Sequence, residues 1–558
     1  MSRGYRWRSN PIPHYWLIGI LRFLLVSLNI GSILQESTIH RRREQLSKIT
    51  DGLGLGDAYG ATIERIKAQD GDKSTLGMGA LMWVCHAERP LKVDELCYAL
   101  AVELGSTDFN PQNLPSIQTL VSCRQGLITV DKEASTARLI HFTLKEYLCA
   151  HPDIFGRHHS IMAEICLTYL NSEKVKALSL DGSPLILDTP FLTYCSRYWG
   201  VHAKRDFSNR VKSLALELLQ GYDSHISARS LLAHVRYLGH WRQGMSFQFS
   251  GLHCASFFGI EEGVVALIGI ESYGINEGDI WGGTPLAWAA ERGHEGVVKI
   301  LLGRADVNPD KADNDGHPPL SHAASGGHEG VVKVLLERGE VNPDRPNNYG
   351  RTPLHSATLG GHEGVVKVLL ERAGVSHDRA DNDGSTPLSH AARSGHEGVV
   401  KVLLERAKVD PNKPDNLGVT ALLRAARYGH DKVVKILLAH AVVNPDKPDH
   451  HGSTPLLAAA QFGYENIVKM LLGREEVNHE KRDNDGDTPL TCAARYGHQG
   501  VVIMLLEKAR VNLDNINHAG QTPLIRTALN GHQRVIELLK LHQTTTSVTA
   551  SGSGDTTR

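Results

Sequence analysis

The sequence predicts a mainly α-helical protein, in which a solenoid of stacked two-helix repeats follows a compact helical module and a helical connector. Three observations predict this fold class. A Thr-Pro-Leu triplet, intact or with one substitution, returns every 34 residues in eight copies from Thr284 to Thr522. Residues 73–172 have apolar positions at helical spacing, followed by two short β-like runs. Residues 173–247 contain further apolar stripes of helical period that lead into the repeats.

Each repeat combines a capped first helix with an apolar second helix. The threonine of the triplet is expected to be the N-cap, and the proline takes the first helical position, where a missing N–H costs nothing. A small-residue pair such as Ala289-Ala290 keeps this helix thin, and the glycine of the following Gly-His pair ends it. A Val-Val-x-x-Leu-Leu run, such as Val399 to Leu404, then forms an apolar stripe. One unit cannot bury that stripe alone, so stability must come from stacked neighbours.

This pattern resembles the ankyrin repeat. A period of 34 residues is also about the length of the tetratricopeptide repeat, but the Trp, Gly and Tyr positions of that repeat are missing. The ankyrin period is usually about 33 residues, and the added residue falls in a loop such as Val307 to Lys311, where insertions are tolerated. Counting back one step adds a degenerate copy at Gly251, so nine repeats are expected over residues 248–542.

Composition excludes several other classes of protein. The net charge of −1, with 22% charged residues, provides no field that would attract nucleic acid. The eight cysteines lie far apart without a Cys-x-x-Cys pair, and no Asn-x-Ser/Thr site is present. Neither a zinc finger nor a disulfide framework is therefore indicated. Both absences favour a reducing intracellular compartment, and we expect the cytoplasm.

The N-terminal region contains one candidate membrane segment, Trp16 to Leu34, preceded by three arginines. Arg22 lies inside it, and an arginine at that depth is costly in lipid. The alternative is a buried strand, 23–28, followed by a helix that carries the basic triplet at 41–43. We favour the strand. The basic triplet could be a nuclear signal, but an exposed helical face explains it as well.

Residues 73–172 predict three helices followed by a hairpin, which is the outline of a winged helix. The expected elements lie at 76–84, 93–101, 117–121, 127–130 and 137–142. Ser116 is expected to cap the third helix, and Gly126 to end it. Thr143 and Glu146 have the spacing of a capping box that opens a further helix.

The segments LGMGALMWVCHAERPLKVDELCYALAVE, SIQTLVSCRQGLITV and LIHFTLKEYL resemble the winged-helix part of fungal NACHT-type STAND proteins. RFLLVSLNIGSIL, TIHRRREQLSKI and GLGDAYGATIERI look like the C-terminal edge of the NACHT core in that family. The expected domains are an unassigned N-terminus (1–21), a NACHT remnant (22–72), a winged helix (73–172), a connector that caps the array (173–247), nine ankyrin repeats (248–542) and a disordered tail (543–558). The resemblance implies the ligand-sensing arm of a signalling ATPase.

The residues that such an ATPase needs for nucleotide binding are absent from the sequence. A phosphate-binding loop ends in Gly-Lys-Ser/Thr after a strand, and the nearest candidate, Gly71 to Ser74, lacks both the paired glycines and the strand. We therefore expect no nucleotide, no cofactor and no enzymatic activity. Two alternatives remain: a signalling NTPase whose nucleotide-binding part is missing from this chain, or a membrane-tethered ankyrin adaptor.

Neither a metal site nor a catalytic set is predicted. Of the 30 histidines, eight lie in or beside the repeat consensus, where hydrogen bonding at turns explains them, and no His-Glu-x-x-His is present. No Ser/His/Asp or Cys/His set has a supporting motif. The third winged-helix segment offers only Arg124 as a basic side chain, so nucleic-acid binding is not expected.

The two positions before each Gly-His vary, and in an ankyrin stack they line the concave face. In the later repeats they carry arginine and aromatic side chains, the composition of a binding hot spot. The candidate partner-binding residues are Arg393, Arg427, Tyr428, Gln461, Phe462, Arg495 and Tyr496. We expect a protein ligand here, and we expect alanine at Arg427, Tyr428, Arg495 and Tyr496 to leave folding intact and to abolish capture of the partner. The alternative is that they merely cover the alanines beneath them.

Overall fold

A computed structural model describes residues 37–44, 55–123, 125–131, 133–178, 189–235, 248–270, 274–406, 408–508 and 511–551. The chain divides into two compact units, Met1–Tyr273 and Gly274–Arg558. The candidate membrane segment and the alternative strand, both within residues 16–34, lie outside the described residues. None of the helices in the described ranges combines the length and the apolar character that a membrane span requires.

The first half of the N-terminal unit contains the predicted three helices and hairpin, preceded by a short helical stretch at residues 39–44 and by one longer helix. Its elements are α1 (Leu55–Lys67), α2 (Asp72–His86), α3 (Val93–Ala101), α4 (Ile117–Cys123), β1 (Ile128–Asp131), β2 (Thr136–Leu139) and α5 (Phe142–Ala150). The hairpin is antiparallel, with Ile128 opposite Leu139 and Asp131 opposite Thr136. As expected, the Ser116 hydroxyl accepts a hydrogen bond from the Thr119 N–H at the start of α4. The winged-helix prediction is confirmed in outline.

The beginning of α5 differs from the prediction. The N-cap is His141, whose Nδ1 accepts a hydrogen bond from the Thr143 N–H at 3.4 Å. Thr143 was the predicted cap, but its hydroxyl instead bonds to His141 Nδ1 and to the Tyr59 hydroxyl. Because the helix already begins at Phe142, strand β2 ends at Leu139, three residues earlier than expected.

All regular elements in the described part of the connector are helices. The connector comprises α7 (Glu173–Lys176), α8 (Leu192–Arg205), α9 (Asn209–Gln220) and α10 (Ile226–Val235), and it follows α6 (His158–Asn171), the last helix of the predicted winged-helix range. The first repeat comes next, with α11 (Gly251–Phe258) and α12 (Glu261–Ile268). Trp83 of α2 is fully buried, and its ring meets Phe191 and Tyr194 edge-on at centroid distances of 5.5 and 5.7 Å. The winged-helix module and the connector therefore share one core.

The connector packs directly on the first repeat, as the expected cap of an array must. The ring of Trp199 on α8 lies 5.3 Å from that of Phe258 on α11, measured between centroids. A Cβ atom on Gly200 would lie 2.2 Å from the Phe258 ring, and one on Gly251 would lie 2.0 Å from the Leu219 carbonyl oxygen. Glycine at these two positions permits the close approach of α8 and α9 to α11.

The C-terminal unit continues the helix pairs at a period of 34 residues. They are α13 and α14 (Pro285–Arg292, Glu295–Leu302), α15 and α16 (Pro319–Gly326, Glu329–Glu337), α17 and α18 (Pro353–Gly360, Glu363–Glu371), α19 and α20 (Pro387–Ser394, Glu397–Arg406), α21 and α22 (Ala421–Arg427, Asp431–Ala439), α23 and α24 (Pro455–Phe462, Glu465–Leu472), α25 and α26 (Pro489–Tyr496, Gln499–Leu506), and α27 and α28 (Pro523–Leu529, Gln533–Ser551). With α11 and α12, the described residues contain nine helix pairs, the number predicted.

The ends of these helices follow the expected local chemistry. The Thr386 hydroxyl accepts a hydrogen bond from the Ser389 N–H at 3.2 Å, and the equivalent threonines of most other repeats do the same. Gly395 ends α19 in the left-handed conformation, with φ of +75°. The final helix, α28, extends past residue 543 into the segment where disorder was expected. Once its packed first turns have formed, each further residue adds a hydrogen bond without a new nucleation cost.

Histidines and asparagines join neighbouring repeats. In six repeats, Nε2 of the Gly-His histidine is paired with a carbonyl oxygen 37 residues earlier, as for His396 with Leu359 at 3.0 Å. In the turns, side chains such as Asn382 donate from Nδ2 to the carbonyl 34 residues earlier, here Asn348 at 2.9 Å. The hydrogen-bonding explanation of these repeat histidines is therefore confirmed.

Candidate protein-binding surface on the repeats

In the eight repeats of the C-terminal unit, the turn before the first helix is held by an Asx side chain. Asp381 Oδ1 accepts hydrogen bonds from the N–H groups of Asp383 and Ser385, at 3.1 and 2.8 Å. Gly384 between them has φ of +79°, which this tight turn requires. The residue before the turn glycine therefore lies at the tip of a rigid turn. Tyr349 and Leu417 have this position in their repeats and are 53% and 59% exposed.

The second carboxylate oxygen of these aspartates accepts from a side chain on the first helix. His390 pairs with Asp381 Oδ2 at 2.8 Å, and Arg424 forms the equivalent ion pair with Asp415. Burial alone would raise the pKa of Asp381, but the hydrogen bonds from His390 and from the backbone outweigh it, so its pKa is lowered. Turn and helix are thus coupled by buried polar contacts, which fix the side chains that surround them.

Three predicted aromatic residues form a row along the repeats. Tyr428, Phe462 and Tyr496 occupy the same position in successive repeats, and they are 46%, 47% and 44% exposed. Isolated exposed apolar residues are ordinary. Three equivalent large rings along one face of consecutive repeats are a patch, and such patches mark interaction sites.

Two predicted arginines lie against this row. The Arg393 guanidinium carbon is 5.5 Å from the centroid of the Tyr428 ring, and that of Arg495 is 5.3 Å from Tyr496. Both distances are within the range of cation–π attraction. We refer to Arg393, Tyr428, Phe462, Arg495 and Tyr496 as the aromatic row.

The remaining two predicted residues behave differently. An Arg427 guanidinium N–H donates to Asp449 Oδ2 at 2.8 Å, so this side chain supports the turn of the next repeat. Gln461 is half-buried, and its backbone carbonyl is the partner of His498. Arg427 therefore contacts the next repeat as well as lining the candidate surface, so its replacement is expected to affect stability as well as binding.

A hollow of about 460 Å³ lies beside the first ring of the row. The side chains that line it include Asp383, Arg393, Leu417, Arg424, Arg427 and Tyr428. Sequence reasoning identified only Arg393, Arg427 and Tyr428 among them. The signal that could have added Asp383 and Leu417 is their position directly before the turn glycine, repeated every 34 residues.

One carboxylate and thiol cluster in the repeats has metal-like spacing without open ligands. Ligand atoms of Asp483, Asp487 and Cys492 lie within 4.8 Å of one another. However, the two oxygens of Asp487 accept from Asn517 Nδ2 at 2.8 Å and from Arg526 at 2.7 Å. Burial raises the pKa of the Cys492 thiol, which therefore stays protonated. These partners explain the cluster without an ion.

The family of the repeats follows from comparison with known proteins. A family model described as ankyrin repeats (3 copies) matches residues 252–347, 340–415, 407–483 and 475–550, which together exceed half of the chain. The chain belongs to the ankyrin-repeat family. Ankyrin repeats generally mediate protein binding and are typically non-catalytic. The aromatic row thus lies on a scaffold whose usual task is recognition.

Two further similarities were found for the ankyrin protein. A model described as GPI inositol-deacylase, winged helix domain, matches residues 65–166, the region of α1 to α6. The chain is also 28% identical over 266 residues to azaphilone pigments biosynthesis cluster protein L of Monascus ruber. That alignment covers 41% of this chain and 55% of the relative, so the chain spans about half the length of the curated relative it matches.

Proposed function

We propose that this ankyrin protein is an intracellular protein-recognition scaffold that binds a protein ligand on the concave face of its repeats. The observation that carries the proposal is the aromatic row, in which three exposed rings recur in consecutive repeats and two arginines lie against them. Trp, Tyr and Arg are the residues most enriched at the energetic centre of interfaces.

The side chains of the aromatic row are preorganised for binding. Arg393 and Arg495 already lie over aromatic rings, and rings have few rotatable bonds. Binding therefore immobilises little additional side-chain freedom, which is the main advantage of a preorganised surface. The adjacent hollow of about 460 Å³ offers a pocket for one side chain of the ligand.

At a finer level, we propose that the chain is the ligand-sensing arm of a STAND-type signalling protein without its own NTPase core. The succession of a winged helix and an ankyrin array supports this, because the resemblance places such an arm after the NTPase. The alternatives are a signalling NTPase whose nucleotide-binding part is missing from this chain, and a membrane-tethered adaptor. Nucleotide binding or hydrolysis by the purified full chain would contradict the proposal.

The decisive experiment measures affinity for an identified ligand. Proteins retained on the immobilised full chain are identified by mass spectrometry, purified and titrated against it by calorimetry. Because the name of the Monascus relative concerns a pigment biosynthesis cluster, biosynthetic proteins are included among the candidates. The triple variant Tyr428→Ala, Phe462→Ala and Tyr496→Ala should weaken binding by at least about 30-fold, the effect of one hot-spot residue at about 2 kcal/mol.

Matched control substitutions lie on the second helices of the same repeats. Lys401 and Lys432 are 64% and 76% exposed and belong to α20 and α22. Their replacement by alanine should leave the affinity unchanged. Equal binding by the row variant and by this control variant would refute the proposed surface.

A further inference from the structure

Three histidines meet where the winged-helix module joins the connector. His86 is the last residue of α2, and His158 and His159 open α6. One ligand atom from each lies within 4.8 Å of those of the other two, and all three side chains are half-buried. The His86 and His158 rings are stacked, with centroids 3.9 Å apart.

Hydrogen bonds leave at least one ring nitrogen of each histidine uncommitted or weakly engaged. His158 Nδ1 donates to the Gly156 carbonyl at 3.0 Å, which places the lone pair of the neutral ring on Nε2. His159 Nδ1 is paired with His202 Nδ1 at 3.0 Å, and its Nε2 is 3.4 Å from an Arg205 guanidinium nitrogen. His86 forms no hydrogen bond to any residue in the described part of the chain.

Burial disfavours the charged form of two of the three rings. Burial, followed by the charge of His158, lowers the pKa of His86 to about 4. Burial and His158 likewise lower the pKa of His159 to about 4. A metal ion must normally displace protons from its histidine ligands. Here the neutral form of these two rings is already the stable one.

We propose that His86, His158 and His159 together bind a divalent transition-metal ion, Zn²⁺ in the cell, with water as the fourth ligand. Imidazole nitrogen is a preferred ligand of Zn²⁺, and three protein ligands plus water is a common zinc arrangement. Zn–N bonds of about 2.0–2.1 Å bring tetrahedral ligand atoms to roughly 3.3 Å from one another. The rings must therefore close in from their present spacing of up to 4.8 Å.

The surroundings supply the outer contacts that metal-bound histidines need. The Gly156 carbonyl orients His158, as backbone carbonyls commonly do in zinc sites. His159 is oriented by His202, whose Nε2 pairs with the Tyr194 hydroxyl at 2.9 Å. The same hydroxyl accepts a hydrogen bond from the Glu88 N–H at 3.2 Å. The site is thus supported by a chain of hydrogen bonds that reaches α8.

Two positively charged side chains near the histidines disfavour a bound metal ion. Their presence gives the proposal a specific test. Arg205 is close to His159 Nε2 but forms an ion pair with Glu88, and Lys145 contributes positive charge near His86. Metal binding requires the Arg205 guanidinium to move away from His159. Removal of its charge by Arg205→Met should therefore tighten metal binding, whereas a purely structural histidine cluster would not respond in this way.

To test the proposal, the metal-free full-length chain is titrated with Co²⁺, monitored by visible absorption, and with Zn²⁺, monitored by calorimetry. The wild-type protein should bind one more equivalent of metal ion than the variant His86→Phe. This substitution keeps an aromatic ring stacked on His158 but removes both ring nitrogens of His86. His158→Gln should weaken that equivalent by at least about 100-fold, the upper end of the effect of losing an outer contact. Circular dichroism and the melting temperature verify that each variant is folded.

The control is His151→Gln, which changes an exposed histidine of the same unit outside the cluster. The chain has 30 histidines, so weak additional binding is expected equally in every variant. If His86→Phe and His158→Gln retain the same tight equivalents as His151→Gln, the proposed site is wrong. An unchanged or weaker affinity in Arg205→Met would also overturn it. Protein-ligand binding by the repeats is a separate measurement and does not affect either outcome.

Discussion

Arg427 donates a hydrogen bond to Asp449 Oδ2 across 2.8 Å, and Asp449, only 1% exposed at its side chain, opens the turn of the following repeat. Asp449 Oδ1 is occupied by the N–H groups of His451 and Ser453, both at 2.9 Å. The first-helix position that carries His390 and Arg424 in the two preceding repeats is Ala458 in this repeat. The arginine of the preceding repeat therefore supplies the missing donor.

Replacement of Arg427 by alanine should destabilise the array. It leaves a buried carboxylate oxygen without a partner, which typically costs about 1–3 kcal/mol. A lower midpoint of urea unfolding for Arg427→Ala is the expected result. Arg393→Ala is the control, because Arg393 lies on an exposed ring and forms no ion pair with another described residue. Equal midpoints for the two variants would contradict the packing role of Arg427.

Acid should destabilise the repeats through His355. Burial, followed by the nearby His390, lowers the pKa of His355 from its ordinary 6.5 to about 4. Between these values the unfolded chain binds a proton that the folded chain does not, so the free energy of unfolding falls as pH decreases from 6.5 to 4. The full effect of such a shift is about 3 kcal/mol.

The measurement is the free energy of unfolding as a function of pH. His355→Gln should reduce the slope between pH 6.5 and 4, while an amide can still accept from the Thr352 N–H as His355 does. Substitution of the exposed turn residue His450 by glutamine serves as the comparison. A slope unchanged by His355→Gln would show that this histidine does not contribute.

Tyr464 interrupts the row of inter-repeat histidines and offers a stabilising substitution. It stands where His430 and His498 pair with carbonyl oxygens 37 residues earlier, those of Arg393 and Gln461. Tyr464→His should form the equivalent bond with the Arg427 carbonyl and raise stability by about 0.5–1.5 kcal/mol. Tyr464→Phe, which cannot form that bond, is the control for thermal unfolding. A melting temperature no higher for the histidine variant than for this control would contradict the expectation.

Gly200→Ala should loosen the packing between connector and first repeat. The added Cβ would lie 2.2 Å from the Phe258 ring, so helix α8 or the ring must shift. Overpacking of this kind typically costs about 1–3 kcal/mol. Gly221→Ala adds the same methyl group where no atom lies within 4 Å and should be tolerated. Limited proteolysis of the N-terminal unit compares the two variants; equal resistance would refute the close contact.

The repeats could be predicted almost completely because their determinants are local. Thr386 caps a helix three residues away, and Gly395 ends it through its own backbone conformation. The role of Arg427 could not be predicted, since its partner lies in the next repeat. The cap of α5 was missed because His141 rarely serves that function, whereas Thr143 matches the usual pattern.

The candidate site was predictable in part for the same reason. The aromatic row follows from positions that recur with the repeat, as Tyr428 and Tyr496 do. The cluster of His86, His158 and His159 depends on the packing of α2 against α6. Its members have no spacing in the sequence that indicates a common site.

The hydrogen bonds that histidine and asparagine side chains form between successive repeats end on main-chain carbonyl oxygens, as for His396 with Leu359 and Asn382 with Asn348. A main-chain acceptor is present whatever residue occupies the position, so any unit can follow any other without loss of these bonds. In-frame duplication or deletion of one 34-residue unit therefore preserves the main-chain acceptors on which these bonds end. Lineages that carry this gene are expected to differ in copy number, and thereby in the reach of the protein, more readily than in the architecture of a single unit.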